Sequence, residues 1–291
     1  LYKLYSRMGN GMSNFTDFIS GGGGTLYTIP ITASTTWTPP YDGTAVIHCI
    51  GAGGSGGSDE SNGNVTGGGA GGYSRKSVTL STGTNWTMVV GAGGAQPTSN
   101  NANGNAGGNT TATDGSSSLV ANGGGPGLTN STAAVAGGSA SGGDVNNTGG
   151  AGGHNGTMCG GGAVGVLGTG DAGEVGTGAS SGGAVINKYG GHSDVQSPQF
   201  ENTNGELRGG GRGGKFLNDW TGTIPVNLDG GFLAGGGAAY QVQTTRSAQG
   251  GDGGIGGGGA SANCADVSQS GFVVGGKGGN GLILVMYTSV G

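Results

Sequence analysis

The chain has 291 residues, of which 79 are glycine, 32% hydrophobic and 9% charged, against roughly 7% Gly, 45–50% apolar and 25% charged in ordinary domains. This excludes an ordinary helical or α/β enzyme fold of this length, because Gly is costly inside helices and strands and too few large apolar side chains remain for the expected core. The 10 Lys and Arg against 15 Asp and Glu give a net charge of −5, which argues against a nucleic-acid surface built on clustered positive charge.

Residues 1–24 carry aromatics without a clean period and end in GGGG, so they read as an N-terminal arm or attachment segment. Residues 25–291 read as one glycine-rich domain with flanking strands inside 25–50, 73–90 and 281–287. Residues 25–31 (TLYTIPI) alternate and are rich in β-formers, and 44–50 (TAVIHCI) form a convincing strand after the turn residues Pro39, Pro40, Asp42 and Gly43. Residues 74–80, the turn STGTN and residues 86–90 read as a hairpin, and 281–287 (GLILVMY) as a closing strand. These pieces are expected to form a small antiparallel β layer that holds most of the apolar core. No helical period appears, and no apolar run is long enough to cross a membrane as a helix.

Between the strands lie glycine blocks near 51–57, 67–72, 91–94, 104–108, 121–127, 137–143, 149–153, 160–165, 176–183, 209–214, 229–237, 250–259 and 275–281. Inside several of them a period of three is plain. The non-glycine residues are Ala52, Ser55 and Ser58, then Ala70 and Tyr73, Ala151 and His154, Arg212 and Lys215, Asp252 and Ile255, Lys277 and Asn280. Three residues per turn is the polyproline-II geometry, which makes no internal hydrogen bonds. Buried N–H and C=O groups then need partners elsewhere. The solution consistent with the pattern is a stack of laterally bonded polyglycine-II helices, with the third-position side chain outward or in a gap. Gly53, Gly54, Gly56, Gly57, Gly253, Gly254, Gly256 and Gly257 are the expected scaffold glycines. A flexible linker has no reason to keep residue type in phase, and collagen would need an unbroken repeat with far more Pro than the 7 present.

Several enzyme-like motifs fail on context. GAGGSG at 51–56 fits G-x-G-x-x-G after a strand, but no helical pattern follows. Residues 209–215 and 271–277 spell G-x-x-x-x-G-K but are followed by Phe216 and Gly278 rather than Ser or Thr. Residues 53–57 fit G-x-S-x-G without a strand-to-helix elbow. His48 and Cys49 are adjacent in a strand and therefore point to opposite faces. Asp59 and Glu60 read as a solvated turn rather than an acid–base pair. No catalytic residues, metal site or cofactor are expected.

Loops on a rigid scaffold carry function. The later connectors, 187–208, 215–228 and 238–249, hold most bulky side chains, and aromatics and Arg are the usual binding anchors. Tyr189, His192, Phe200, Phe216, Trp220, Tyr240 and Arg246 are the candidate receptor-binding residues. The plainer alternative is that such rings seal the edges of the stack.

The runs TAVIHCIGAGGSGG, GGGAGGYSRKSVTLSTGTNWTMVVGAGG and GKGGNGLILVMY, in that order, are similar to glycine-rich domains of bacteriophage tail fibres. More distantly, residues 25–291 resemble the T-even-type distal tail-fibre adhesins, in which stacked polyglycine helices present variable loops to outer-membrane proteins or saccharides. The resemblance implies a non-enzymatic, receptor-binding protein of the virion tail tip, extracellular, acting as a homotrimer or as a monomer on a trimeric fibre. Its partners would be a host-surface receptor and, through residues 1–24, other virion proteins, with no nucleic acid and no membrane insertion. Residues 1–24 do not match the adhesins' attachment domain. Alternative readings are a purely structural virion or surface-decoration protein, and a glycine-rich extracellular binding module of a cellular protein.

Overall fold

A computed structural model describes residues 26–60, 64–154, 160–162, 164, 168–170, 172–173, 216–217, 229, 235–236, 239–241, 248–264 and 273–288. The arm at 1–24 lies outside them. The described residues contain no helix. Their strands are β1 (Leu26–Ile31), β2 (Thr35–Trp37), β3 (Gly43–Ile50), β4 (Ser58–Asp59), β5 (Tyr73–Leu80), β6 (Trp86–Val89), β7 (Thr110–Thr113), β8 (Ser118–Ala121), β9 (Ala140–Ser141), β10 (Val145–Asn147), β11 (Phe216–Leu217), β12 (Ala239–Gln241), β13 (Ala248–Gln249), β14 (Ala262–Cys264), β15 (Val273–Val274) and β16 (Leu282–Thr288).

Two antiparallel sheets, ordered β1-β16-β3-β5-β10 and β2-β6-β7-β8-β9, share one core. Alternation makes the core: Ala45, Ile47 and Cys49 of β3 and Ile283, Val285 and Tyr287 of β16 face Trp86 and Met88 of β6, Ala112 of β7, and Leu119 and Ala121 of β8. The hairpin expected over 74–90 does not form. Its first strand, β5, pairs with β3 and β10, whereas its second, β6, pairs with β2 and β7 in the other sheet. The physical reason is that Val78 and Leu80 must meet Trp86 and Met88 across the core rather than beside them. The single expected β layer is therefore two, and β16, the strand expected over 281–287, sits between β1 and β3. At the open end of this core, Tyr27 stacks on Tyr287 at 5.2 Å and Trp37 tilts against the same ring at 6.4 Å.

The strands run on into the glycine blocks without a slip in register. The β3–β5 pairing that ends at Ile50↔Tyr73 continues as Gly51 N–H to Gly72 O (2.8 Å), Gly54 to Gly69 (2.9 Å) and Gly57 to Thr66 (3.2 Å). The β16–β3 pairing continues as Gly53 N–H to Gly279 O (2.9 Å) and Gly56 to Gly276 (3.0 Å). The β7–β8 pairing continues as Gly107 to Gly124 (3.0 Å) and Gly104 to Gly127 (2.8 Å). In each case the spacing between bonded residues is now three.

The two residues between these bonds turn to other neighbours. In the tract 66–72, Thr66, Gly69 and Gly72 donate to the tract 122–128, Gly67 and Ala70 to 150–153, and Gly68 and Gly71 to 256–259. The tract 51–57 likewise donates toward 66–72, 105–108 and 276–279, and accepts from Gly94, Gly124, Gly127 and Gly259. Tracts descending from the two sheets thus close to hydrogen-bond distance where the strands above them are held apart by a side-chain core.

Close approach dictates the residue type. A Cβ added at Gly53, Gly54, Gly56, Gly68, Gly69 or Gly124 would fall under 3.0 Å from a neighbouring carbonyl oxygen. The in-phase residues Ala52, Ser55, Ser58 and Ala70 are buried rather than outward, because other tracts surround them; Lys277 and Asn280, at the edge, are exposed. The block 250–259 is not one rod. Gly257 N–H bonds Gly254 O (2.7 Å), Ala260 N–H bonds Gly251 O (3.0 Å), and Gly256 takes φ 70°, so the chain reverses there. The third position of that turn needs a left-handed residue, which favours Gly. Strands β7 to β10 were not legible beforehand, since TTAT, SLVA, AS and VNN carry few large apolar residues.

Backbone has no rotamer with which to yield. Gly54→Ala, set against Gly125 O, should lower stability by about 1–3 kcal/mol or more in denaturant melts. Gly83→Ala, with nothing within 4 Å of the new carbon, should stay within about 0.5 kcal/mol of wild type or gain slightly.

Candidate functional site

The tracts that leave β3, β6 and β8 return to β5, β7 and β9, so their connectors lie at the end of the lattice away from the sandwich. The described residues 58–60, 64–66, 95–103 and 128–136 meet there. Ser58 Oγ donates to Ser99 O (3.0 Å), and Ser58 pairs with Ala102 in an isolated bridge. The two oxygens of Glu60 accept from Asn100 Nδ2 (2.6 Å) and Asn101 Nδ2 (3.0 Å), while Glu60 N–H bonds Asn101 Oδ1 (2.8 Å). Asn100 Oδ1 also accepts Val273 N–H (2.9 Å), which ties this end to β15. Asn101 and Asn130 adopt left-handed φ of 55° and 50°, conformations that Asn tolerates better than most residues. Asp59 is fully buried, with Thr129 Oγ1 at 3.4 Å from Oδ2. That corrects the reading of Asp59 as solvated: β4 draws it beneath the tip loops.

Beside this tip lies a parallel sheet ordered β11-β12-β14-β4, with β13 paired to β15. Of the seven candidate receptor-binding residues it holds two. Phe216 of β11 and Tyr240 of β12 are register partners. Tyr189, His192, Phe200, Trp220 and Arg246 lie outside the described residues. Anchors near the long connectors are fixed by lattice bonds: Gly170 N–H to Thr148 O (3.0 Å), Gly173 N–H to Ala151 O (2.8 Å) and Gly236 N–H to Gly258 O (3.0 Å).

Of the enzyme-like runs, the one at 51–56 has its amides engaged, and the one at 209–215 lies outside the described residues. The N–H groups of Gly53, Gly54, Ser55 and Gly56 all bond carbonyls of other tracts, which leaves them no phosphate to cradle. Among the described residues no three His, Cys, Asp or Glu side chains converge to hold a metal, and no helix is long and apolar enough to cross a membrane. Cys49 faces the core, where burial pushes its thiol up to about 12. Its neighbour His48 faces the other side of the sheet, with Nδ1 2.7 Å from Tyr73 OH. Burial, aided by the Arg75 charge, lowers His48 to about 4, and burial raises Tyr73 to about 12. The phenol therefore stays protonated and can donate to the neutral ring. Burial raises Asp252, opposed by the Lys277 N–H that bonds its Oδ1 (2.7 Å), with Asp229 beside it adding to the rise.

Folding favours neutral His48, whereas the unfolded chain takes its proton near the ordinary value of 6.5. Its contribution is complete above that value and declines as pH falls toward about 4. Thermal midpoints measured across this window should fall with acidification, and His48→Asn should flatten that part of the slope.

The profile of the glycine-rich domain family matches residues 25–288, from the residue before β1 to the last residue of β16. No curated protein matches the chain. The matched span takes in both sheets and every glycine tract described above, and the chain belongs to the glycine-rich domain family.

Proposed function

We propose that the glycine tracts wind as laterally bonded polyglycine-II helices and that the chain is a non-enzymatic phage tail-fibre or tail-tip adhesin. Its loops bind a host-surface receptor, an outer-membrane protein or a saccharide. The observation that carries this reading is that Gly68, Gly69 and Ala70, three consecutive amides, donate to three different tracts through Gly259 O, Gly125 O and Gly150 O. That is the behaviour of a backbone with three residues per turn. Such a platform fixes the roots of the long connectors, and pre-organised loops lose less entropy on binding. The similarity to tail-fibre glycine-rich domains supports the virion setting, with residues 1–24 as the arm toward other virion proteins.

A second reading, a purely structural virion protein, draws on one observation: the polar groups of the described tip close on one another around Glu60. Adsorption separates the two. The purified chain should cosediment with cells of a susceptible bacterial strain. Replacing 187–208 and 218–228, which leaves β11 in place, by Gly-Ser linkers of equal length should cut that binding at least about tenfold, with the thermal midpoint unchanged. Equal binding by the linker variant would remove the loop assignment, and no adsorption to any envelope fraction would favour the structural reading.

A further inference from the structure

A lattice of bare main chains has an edge problem like that of a sheet, since a row of unpaired N–H groups is a template for another chain. The tract 122–128 shows how one face is finished. Asn122 and Gly125 donate to Ser139 O (2.9 Å) and Ala136 O (3.1 Å), and Gly124 and Gly127 to Ala52 O (2.9 Å) and Ser55 O (2.8 Å). The remaining face belongs to residues 123, 126 and 129, all partly exposed. Here Gly123 N–H bonds the side-chain oxygen Asn109 Oδ1 (2.9 Å), and Thr129 N–H bonds Asn103 Oδ1 (2.8 Å). The position between them is Pro126, which has no N–H. Every donor of the third face is thus covered by a side-chain amide or absent. The same device recurs where Gly93 N–H bonds Asn280 Oδ1 (2.9 Å).

We propose that Asn103, Asn109 and Pro126 terminate the lattice and keep a second copy of this chain from adding a glycine tract along the 123/126/129 face. The proposal rests on the lattice reading above. Opened, the face would present aligned N–H groups at every third residue, the spacing at which a tract of another copy offers its carbonyls. An asparagine amide satisfies the donor with a branched side chain, whose bulk also holds a foreign backbone away.

The test compares wild type with the triple variant Asn103→Ala, Asn109→Ala, Pro126→Ala by sedimentation velocity at increasing concentration. Amide hydrogen exchange is read at Gly123, Gly124 and Gly127. The triple variant should associate, its mass-average rising to about twice the wild-type value or beyond. Asn109→Asp, which keeps the acceptor, should sediment as wild type does. Pro126→Ala alone, which restores one donor, should shift the same way as the triple variant to a smaller extent, and it carries the test should the triple variant not fold. Variants that keep Gly124 and Gly127 protected yet sediment as wild type would overturn the cap and leave the lattice standing. Free exchange at Gly124 and Gly127 in the wild-type chain would overturn both.

Discussion

The fold depends on one contact: a backbone N–H reaching the carbonyl of another main chain with no side chain between them. In the sandwich this contact occurs within sheets, and a layer of Ile47, Trp86, Met88, Leu119 and Ile283 keeps the sheets apart. Below Ile50 the layer ends. Gly51 N–H meets Gly72 O, Ala52 N–H meets Gly108 O and Gly53 N–H meets Gly279 O within three consecutive residues. Each bond contributes roughly 0.5–1.5 kcal/mol, so many are needed to offset the entropy of ordering glycine. Their number grows with each tract, and that growth is how a chain with so little apolar material can hold together.

The same contact explains why the sequence tolerates almost nothing but glycine in the tracts. The requirement is space rather than unusual dihedrals. Cβ atoms at Gly53, Gly54 and Gly56 would run into carbonyls of two other tracts, at Gly257 and Ala260 and at Gly125, and backbone there leaves nothing to give way. Left-handed φ is needed at particular reversals, such as Gly256. Polar side chains then serve the margins: Asn103, Asn109 and Asn280 accept from the N–H groups of Thr129, Gly123 and Gly93. The high asparagine content thus has a structural use beyond turn formation.

Much of this was legible in the residues and some was not. The phase of Ala52, Ser55 and Ser58 announced a period of three, and the strand 44–50 is found as Gly43–Ile50. Sheet membership was hidden. Nothing local distinguishes a hairpin from a crossing between layers when both flanking strands alternate, and β5 and β6 part because their apolar faces must meet across the core. Strands β7 to β10 were invisible because Thr, Ser and Asn lead in them, and it is their neighbours that fix them in place. The burial of Asp59 has no local signal, since it comes from neighbours distant in sequence, β14 paired at Asp59 and Thr129 beside its carboxylate. Phe216 and Tyr240 are brought into register by β11 and β12, a pairing with no signal in sequence separation.

The central claim is that consecutive amides of one tract bond to different tracts. Scalar couplings across hydrogen bonds, measured by NMR on labelled protein, test it most directly. The account predicts that the amides of Gly68, Gly69 and Ala70 couple to the carbonyls of Gly259, Gly125 and Gly150, respectively. Coupling of Gly68 and Ala70 to one and the same neighbouring chain, as in a pleated ribbon, would contradict it.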